Sequence, residues 1–115
     1  MNNNKVFDLE DRTANFGKQI ISFCQQLPKN VITNPLINQL IRSGTSIGAN
    51  YMEANGAESK KDFIHKIHLC KKESKETMHW LKMIGHSDRN LQIKKLLQEA
   101  KELTLIFSKI CLNNK

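Results

Sequence analysis

The sequence predicts an all-α chain folded as an antiparallel up-down-up-down four-helix bundle, and three observations carry that prediction. Apolar residues recur in steps of four and three along four separate stretches, the spacing that lines one face of a helix. Proline and glycine are few, two and five in 115 residues, and Pro28, Pro35, Gly56 and Gly85 fall at the borders of those stretches. The connections are short, so consecutive helices return side by side in opposite directions. The whole chain, residues 1–115, reads as a single domain, long enough to bury roughly two-thirds of its unfolded surface.

The first helix is predicted over residues 7–26, with Leu9, Thr13, Phe16, Ile20, Phe23 and Leu27 inward. Asp8, Glu10 and Asp11 occupy its first turn, where negative charge complements the helix dipole. Pro28 ends it. Asn34-Pro35 restarts helix, asparagine as the cap and proline at the first helical position. The second helix is predicted over 35–54. Its seam is Leu36, Leu40, Ile47 and Ala54, with Ser43 and Asn50 in the same register.

This second stretch also carries Ser43, Gly44, Ser46, Gly48 and Ala49, all small. A glycine inside a helix costs about 1 kcal/mol against alanine, and close approach of a neighbouring helix is the usual compensation. Asn55-Gly56 breaks the helix, the glycine being free to take a left-handed closing conformation. Ser59-Lys60-Lys61-Asp62 resembles a capping box with Asp in place of Glu and opens the third helix, residues 60–84. Phe63, Ile67, Cys70, Ser74, Thr77, Leu81 and Ile84 form its seam, flanked by Met78 and Trp80. Gly85 stops it, and Ser87 or Asp88 is expected to cap the fourth helix, residues 89–112. There Ile93, Leu96, Leu97, Ala100, Leu103, Phe107 and Ile110 point inward. Residues 1–5 and 113–115 read as fraying ends.

Several function classes find no support. No apolar run approaches the roughly 20 residues of a membrane span, and MNNNKVFDLE lacks a signal peptide's apolar region, so a cytoplasmic chain without membrane contact is expected. Cys24, Cys70 and Cys111 are odd in number, widely spaced and set among apolar neighbours, which suits reduced core thiols. His65 and His68 are three apart, and His79 and His86 seven apart, with no carboxylate in a ligand spacing such as HExxH, so no metal is expected. Ser43 and Ser46 lie near Glu53 but have no histidine base in reach. With no phosphate loop and no GxSxG either, no enzymatic activity, cofactor or small-molecule substrate is expected.

Charge is the strongest compositional signal. Residues 1–57 hold five Lys/Arg against four Asp/Glu, whereas residues 58–115 hold thirteen against seven. The excess points to a polyanionic partner, RNA or DNA, with solubility alone as the competing explanation. The candidate phosphate contacts are Lys60, Lys61, Lys71, Lys72 and Lys75 on helix three and Lys94 and Lys95 on helix four. Lys66, Lys82, Lys101 and Lys109 add to the field, while Asp62, Glu73, Glu76, Glu99 and Glu102 are interspersed. No aromatic stacking platform accompanies them, so contact should be to phosphates and weakly sequence-specific.

Arg42, Ser46, Asn50 and Glu53 form a polar row on helix two. Eleven residues separate Arg42 from Glu53, about 16 Å along the axis, so they cannot pair with each other. Each needs solvent, another helix or another chain. The pattern Gln39, Arg42-Ser43, Ser46-Ile47, Asn50, Glu53 resembles the small four-helix-bundle proteins encoded in intervening sequences of bacterial 23S ribosomal RNA genes. Phe7-Asp8-Leu9, Lys60, Phe63, Ser74, Glu76 and Leu81 extend the resemblance over nearly the whole chain. Met52 and Ala54 depart from the family pattern, which usually has a small residue and a glycine there.

The resemblance implies a ring of copies, typically a homopentamer, with no enzymatic activity assigned. It also places Arg42, Ser46, Asn50 and Glu53 at signature positions, expected at the contact between subunits. A related group of basic, pentameric bundle proteins assists reverse transcriptases of diversity-generating retroelements by binding nucleic acid. An oligomeric adaptor that recruits another protein is the alternative expectation.

Overall fold

The computed structural model describes residues 8–85 and 90–114, and within them the chain forms four helices. They are α1 (Leu9–Gln25), α2 (Thr33–Asn55), α3 (Lys60–Ile84) and α4 (Leu91–Asn113). α2 packs on both α1 and α3, α3 also packs on α4, and α1 meets α4 far more sparsely. Contacts across each pair run in opposite chain directions: Gly44 approaches Ile20 while Gly48 approaches Thr13, and Arg42 reaches Glu76 while Glu53 reaches Lys66. Arg12 of α1 bonds Glu99 and Glu102 of α4, bridging the sparse seam. The bundle is therefore antiparallel throughout.

Local chemistry explains each boundary. Asp8 caps α1, its carboxylate accepting from the Asp11 N–H at 3.1 Å. Phe7, expected inside that helix, lies outside the described residues. α2 starts two residues earlier than the Asn34-Pro35 reading expects. The Asn30 side-chain oxygen accepts from the N–H groups of Ile32 and Thr33, both at 2.9 Å, and the Thr33 hydroxyl donates to Pro28 O. Asn30, rather than Asn34, thus organises the start, and Pro35 falls in the first turn, where a missing N–H leaves no helical bond unmade.

Gly56 closes α2 without the expected left-handed conformation. Its φ is −96°, and Gly56 N–H and Ala57 N–H bond back three residues to Glu53 O and Ala54 O, a tightened last turn. Ser59 caps α3 by accepting from Asp62 N–H at 3.0 Å. Gly85 ends α3 because a Cβ there would lie 2.7 Å from Ile93 Cδ1. Asn90 caps α4, accepting from the N–H groups of Gln92 and Ile93. The expected caps Ser87 and Asp88, with Arg89 and His86, lie outside the described residues.

The buried set follows the predicted seams with several departures, Leu27 after α1 and Phe63 and Ile84 at the ends of α3 being only half-buried. On α2, Ile37 is buried where Leu36 was expected, and Asn50 is only half-buried. α2 is pressed on two sides, by α1 and α3, so its apolar face is broader than one seam. On α4, Cys111 is buried while Leu97 and Ile110 are half-buried. Phe16, Ile20, Leu40, Ile47, Ile67, Leu81, Leu103 and Phe107 are the largest fully enclosed side chains apart from smaller polar ones. Buried hydroxyls are all satisfied: Thr77 donates across the α2–α3 seam to Ser43 Oγ at 3.0 Å, and Ser74 and Thr13 donate to backbone carbonyls in their own helices.

The glycines of the α1–α2 crossing differ in what they permit. A Cβ on Gly44 would lie 2.9 Å from Ile20 Cγ1 and 3.0 Å from Ile20 Cγ2, whereas one on Gly17 would meet its nearest atoms at 3.6 Å. Gly44→Ala is expected to destabilise by about 1–2 kcal/mol, crowding outweighing the better helix former. Gly17→Ala is expected to be neutral or stabilising by up to about 1 kcal/mol. Urea unfolding of the two variants checks the pair, and equal behaviour would refute the close-approach account.

Candidate nucleic-acid interface

The polar row of α2 is engaged within the chain. The Arg42 guanidinium bonds Gln39, Glu73 at 3.2 Å and Glu76, so that an α2 cation spans two carboxylates one turn apart on α3. Glu53 accepts from Lys66 of α3 at 2.9 Å. Ser46 donates to Arg42 O, and Asn50 Nδ2 donates to Ser46 O, back-bonds that satisfy both side chains on their own helix. The partner that Arg42 and Glu53 require beyond their own helix is therefore present on α3 of the same chain. Arg42 and Glu53 still keep 44% and 58% of their side-chain surface exposed.

These pairs shift the groups that make them. The hydrogen bond with Glu76 raises the Arg42 pKa above its usual value, and the one with Glu53 raises Lys66. Glu76 is lowered, first by the Trp80 indole N–H at 3.1 Å and then by Arg42. A carboxylate lowered in the folded state stabilises above its unfolded value of 4.5, and that contribution fades as pH falls through the folded value. Glu76→Gln is expected to lose this part of the acid sensitivity. Melting curves at pH 7 and pH 3.5 check it, the wild type dropping more than the variant.

The seven lysines proposed from sequence do not form one patch. Lys61, Lys72 and Lys75 are exposed on the outward side of α3. Lys60, together with Lys61, lines a hollow beside the C-terminal end of α4, near Asn114, and Lys71 is half-buried in the groove between α3 and α4 with Cys111 and Leu112. Lys94 and Lys95 belong to the other end of the bundle, Lys95 lying with Lys18 and Ser22 on the α1–α4 side. The structure groups a different set. Lys61, His65, His68, Lys72, Lys75, His79 and Lys82 step four, three, four, three, four, three along α3, and all are exposed. The signal was the same periodicity as the core seam, offset by two residues to the opposite face, and the histidines belong to it.

Other reactive groups are withdrawn. Burial pushes the Cys24 thiol up to about 11 and Cys70 up to about 12, and it raises Cys111 too, so all three stay protonated near neutral pH. The described residues contain no cluster of three or more His, Cys, Asp or Glu able to hold a metal ion, and no helix among them is long and apolar enough to cross a membrane. Between α1 and α2, Ala14, Gly17, Gly48 and Ala49 leave a shallow apolar groove rimmed by exposed Ile21 and Met52. Leu91, Leu105 and Leu112 stand exposed on α4 at 65%, 60% and 62%.

The arrangement is a helical bundle with a two-carboxylate clasp on Arg42, and the chain as a whole matches a known family. A profile of 23S rRNA-intervening sequence proteins matches residues 6–109. The chain belongs to that family. The match spans the α2 polar row, the cationic face of α3 and all but the last turn of α4. A solved structure agrees: a protein of unknown function from the S23 ribosomal protein family of Bacteroides thetaiotaomicron VPI-5482 is 29% identical, with a TM-score of 0.78 over 89% of this chain and 96% of that one. No curated protein matches the chain.

Proposed function

We propose that this family member is a non-enzymatic scaffold that assembles with copies of itself and associates with RNA or DNA through lysine–phosphate contacts. The observation that carries the nucleic-acid part is the outward face of α3, where Lys61, Lys72, Lys75 and Lys82 are exposed and make no hydrogen bond or ion pair among the described residues. Cations that do make such contacts, Arg12, Lys29, Arg42 and Lys66, all lie off that face. Lys60, Lys71, Lys94 and Lys95 contribute a weaker, distributed field.

Self-assembly is supported by exposed apolar surface, the α1–α2 groove and the α4 leucines. The subunit-contact role of Arg42, Ser46, Asn50 and Glu53 belongs to the same proposal: the exposed ends of Arg42 and Glu53 leave room for a neighbouring copy to add to pairs already made. Five subunits is the number the resemblance implies. An adaptor for another protein is the second reading, favoured by Leu91, Leu105 and Leu112 at multiples of seven on one side of α4.

Light scattering after size exclusion, with and without a short ribosomal RNA fragment at two salt concentrations, tests this. The expected result is a discrete multimer that takes up RNA at low salt and releases it at high salt. A multimer that ignores RNA would transfer the case to the adaptor. A monomer would overturn self-assembly, and Arg42→Ala and Glu53→Ala variants that remain fully multimeric would remove the polar row from the contact.

A further inference from the structure

The histidines of α3 have no use in the lysine account, yet the fold aligns them with it. Taking 100° per residue, Lys61, His65, His68, Lys72, Lys75, His79 and Lys82 fall within one 100°-wide strip, opposite buried Ile67, Cys70, Ser74, Thr77 and Leu81. From Lys61 to Lys82 the strip runs about 32 Å. It contains no carboxylate.

We propose that this strip is one continuous phosphate-docking surface in which His65, His68 and His79 bind the nucleic-acid backbone alongside Lys61, Lys72, Lys75 and Lys82, so that grip strengthens as the histidines gain protons. The inference rests on the nucleic-acid reading above and adds to it three residues and a pH dependence. Histidine is the side chain whose charge ordinarily changes between pH 8 and 5. The face carries four lysines and three histidines.

What surrounds the histidines decides whether the added charge reaches a ligand. Asp62 lies three residues before His65 in the first turn of α3, and Lys61 stands on the other side. His68 borders the α3–α4 groove, where its neighbours are Ile64 and Lys71 of α3 and Ser108, Cys111, Leu112 and Asn114 of α4, with no carboxylate among them. His79 packs edge-on against the Trp80 ring, centroids 4.8 Å apart. Its nearest acids in sequence, Glu76 and Glu73, are turned toward α2, where both bond Arg42. Glu53, the acidic residue of α2, is held by Lys66. α1 and α3 do not pack along their backbones among the described residues. Glu53, Glu73 and Glu76 thus face sideways into ion pairs, exposed Asp62 stands at the N-terminal edge and acts on Lys66, and the rest of the strip's charge faces out.

Oligouridine binding, followed by anisotropy across a salt series at pH 7.5 and pH 5.5, tests the proposal with an RNA whose bases do not titrate in that range. The full chain is compared with a His65→Gln/His68→Gln/His79→Gln variant, which leaves His86 in place. For single strands each phosphate contact contributes about −0.7 to the slope of log affinity against log salt. The wild-type slope should steepen from about −2.8 to about −4.9 on acidification, while the variant keeps about −2.8 at both values. A wild-type slope that does not change with pH, or a variant that steepens equally, overturns the histidine role while leaving lysine binding intact. Absence of binding at both pH values overturns the nucleic-acid reading itself.

Discussion

Phe107→Ala will remove about 3–5 kcal/mol of unfolding free energy, the cost of deleting a large enclosed ring whose surroundings relax only in part. Phe107 is fully buried in the C-terminal third of α4. Its ring lies 6.1 Å from that of Tyr51 on α2, tilted by 47°. Those two helices do not pack directly along their backbones, so the aromatic pair fills the bundle across its diagonal. A domain of this size is stable by about 5–15 kcal/mol, so the loss takes a large share of the whole. Phe63, only half-buried at the start of α3, should lose clearly less when replaced by alanine. Urea unfolding at several protein concentrations is the check, because self-association would make apparent stability concentration-dependent. A loss below about 1.5 kcal/mol for Phe107→Ala would mean that the diagonal collapses without cost.

The fold was legible wherever local chemistry and periodicity agree. α3 begins and ends where Ser59 and Gly85 place it, because a serine cap and a glycine that Ile93 crowds act over short range. The start of α2 was not legible. Asn30 reaches forward to two backbone donors while Thr33 reaches back to Pro28, and this knot of side-chain bonds overrides the ordinary Asn-Pro start. The α2 polar row showed a need for partners but not their identity. Glu73, Glu76 and Lys66 meet Arg42 and Glu53 only because α3 runs antiparallel to α2 in one register, information that no single helix contains. The lysines were legible as a charge excess and not as a surface. Which of them share a face follows once α3 is known to bury the opposite side.

Reversing that face gives the largest functional effect expected. Lys61→Glu, Lys72→Glu, Lys75→Glu and Lys82→Glu together should abolish binding to a single-stranded RNA at 50 mM salt. The wild type should itself weaken roughly fiftyfold between 50 and 200 mM, the value for four single-strand phosphate contacts. These side chains are exposed and carry no hydrogen bond or ion pair among the described residues, so the fold should tolerate the change within about 0.5 kcal/mol per site. A matched reversal of Lys18, Lys94, Lys95 and Lys101 alters net charge equally but leaves the α3 face intact. If binding depends on total charge alone, the two variants will fail together. If α3 is the docking face, the matched variant will keep most of its affinity, since a charge outside the contact acts through a screened field that decays over about 10 Å at 0.1 M salt. In an assembly of several copies the contrast should grow, because each subunit repeats the same face and a bound strand that spans two of them gains avidity from the second.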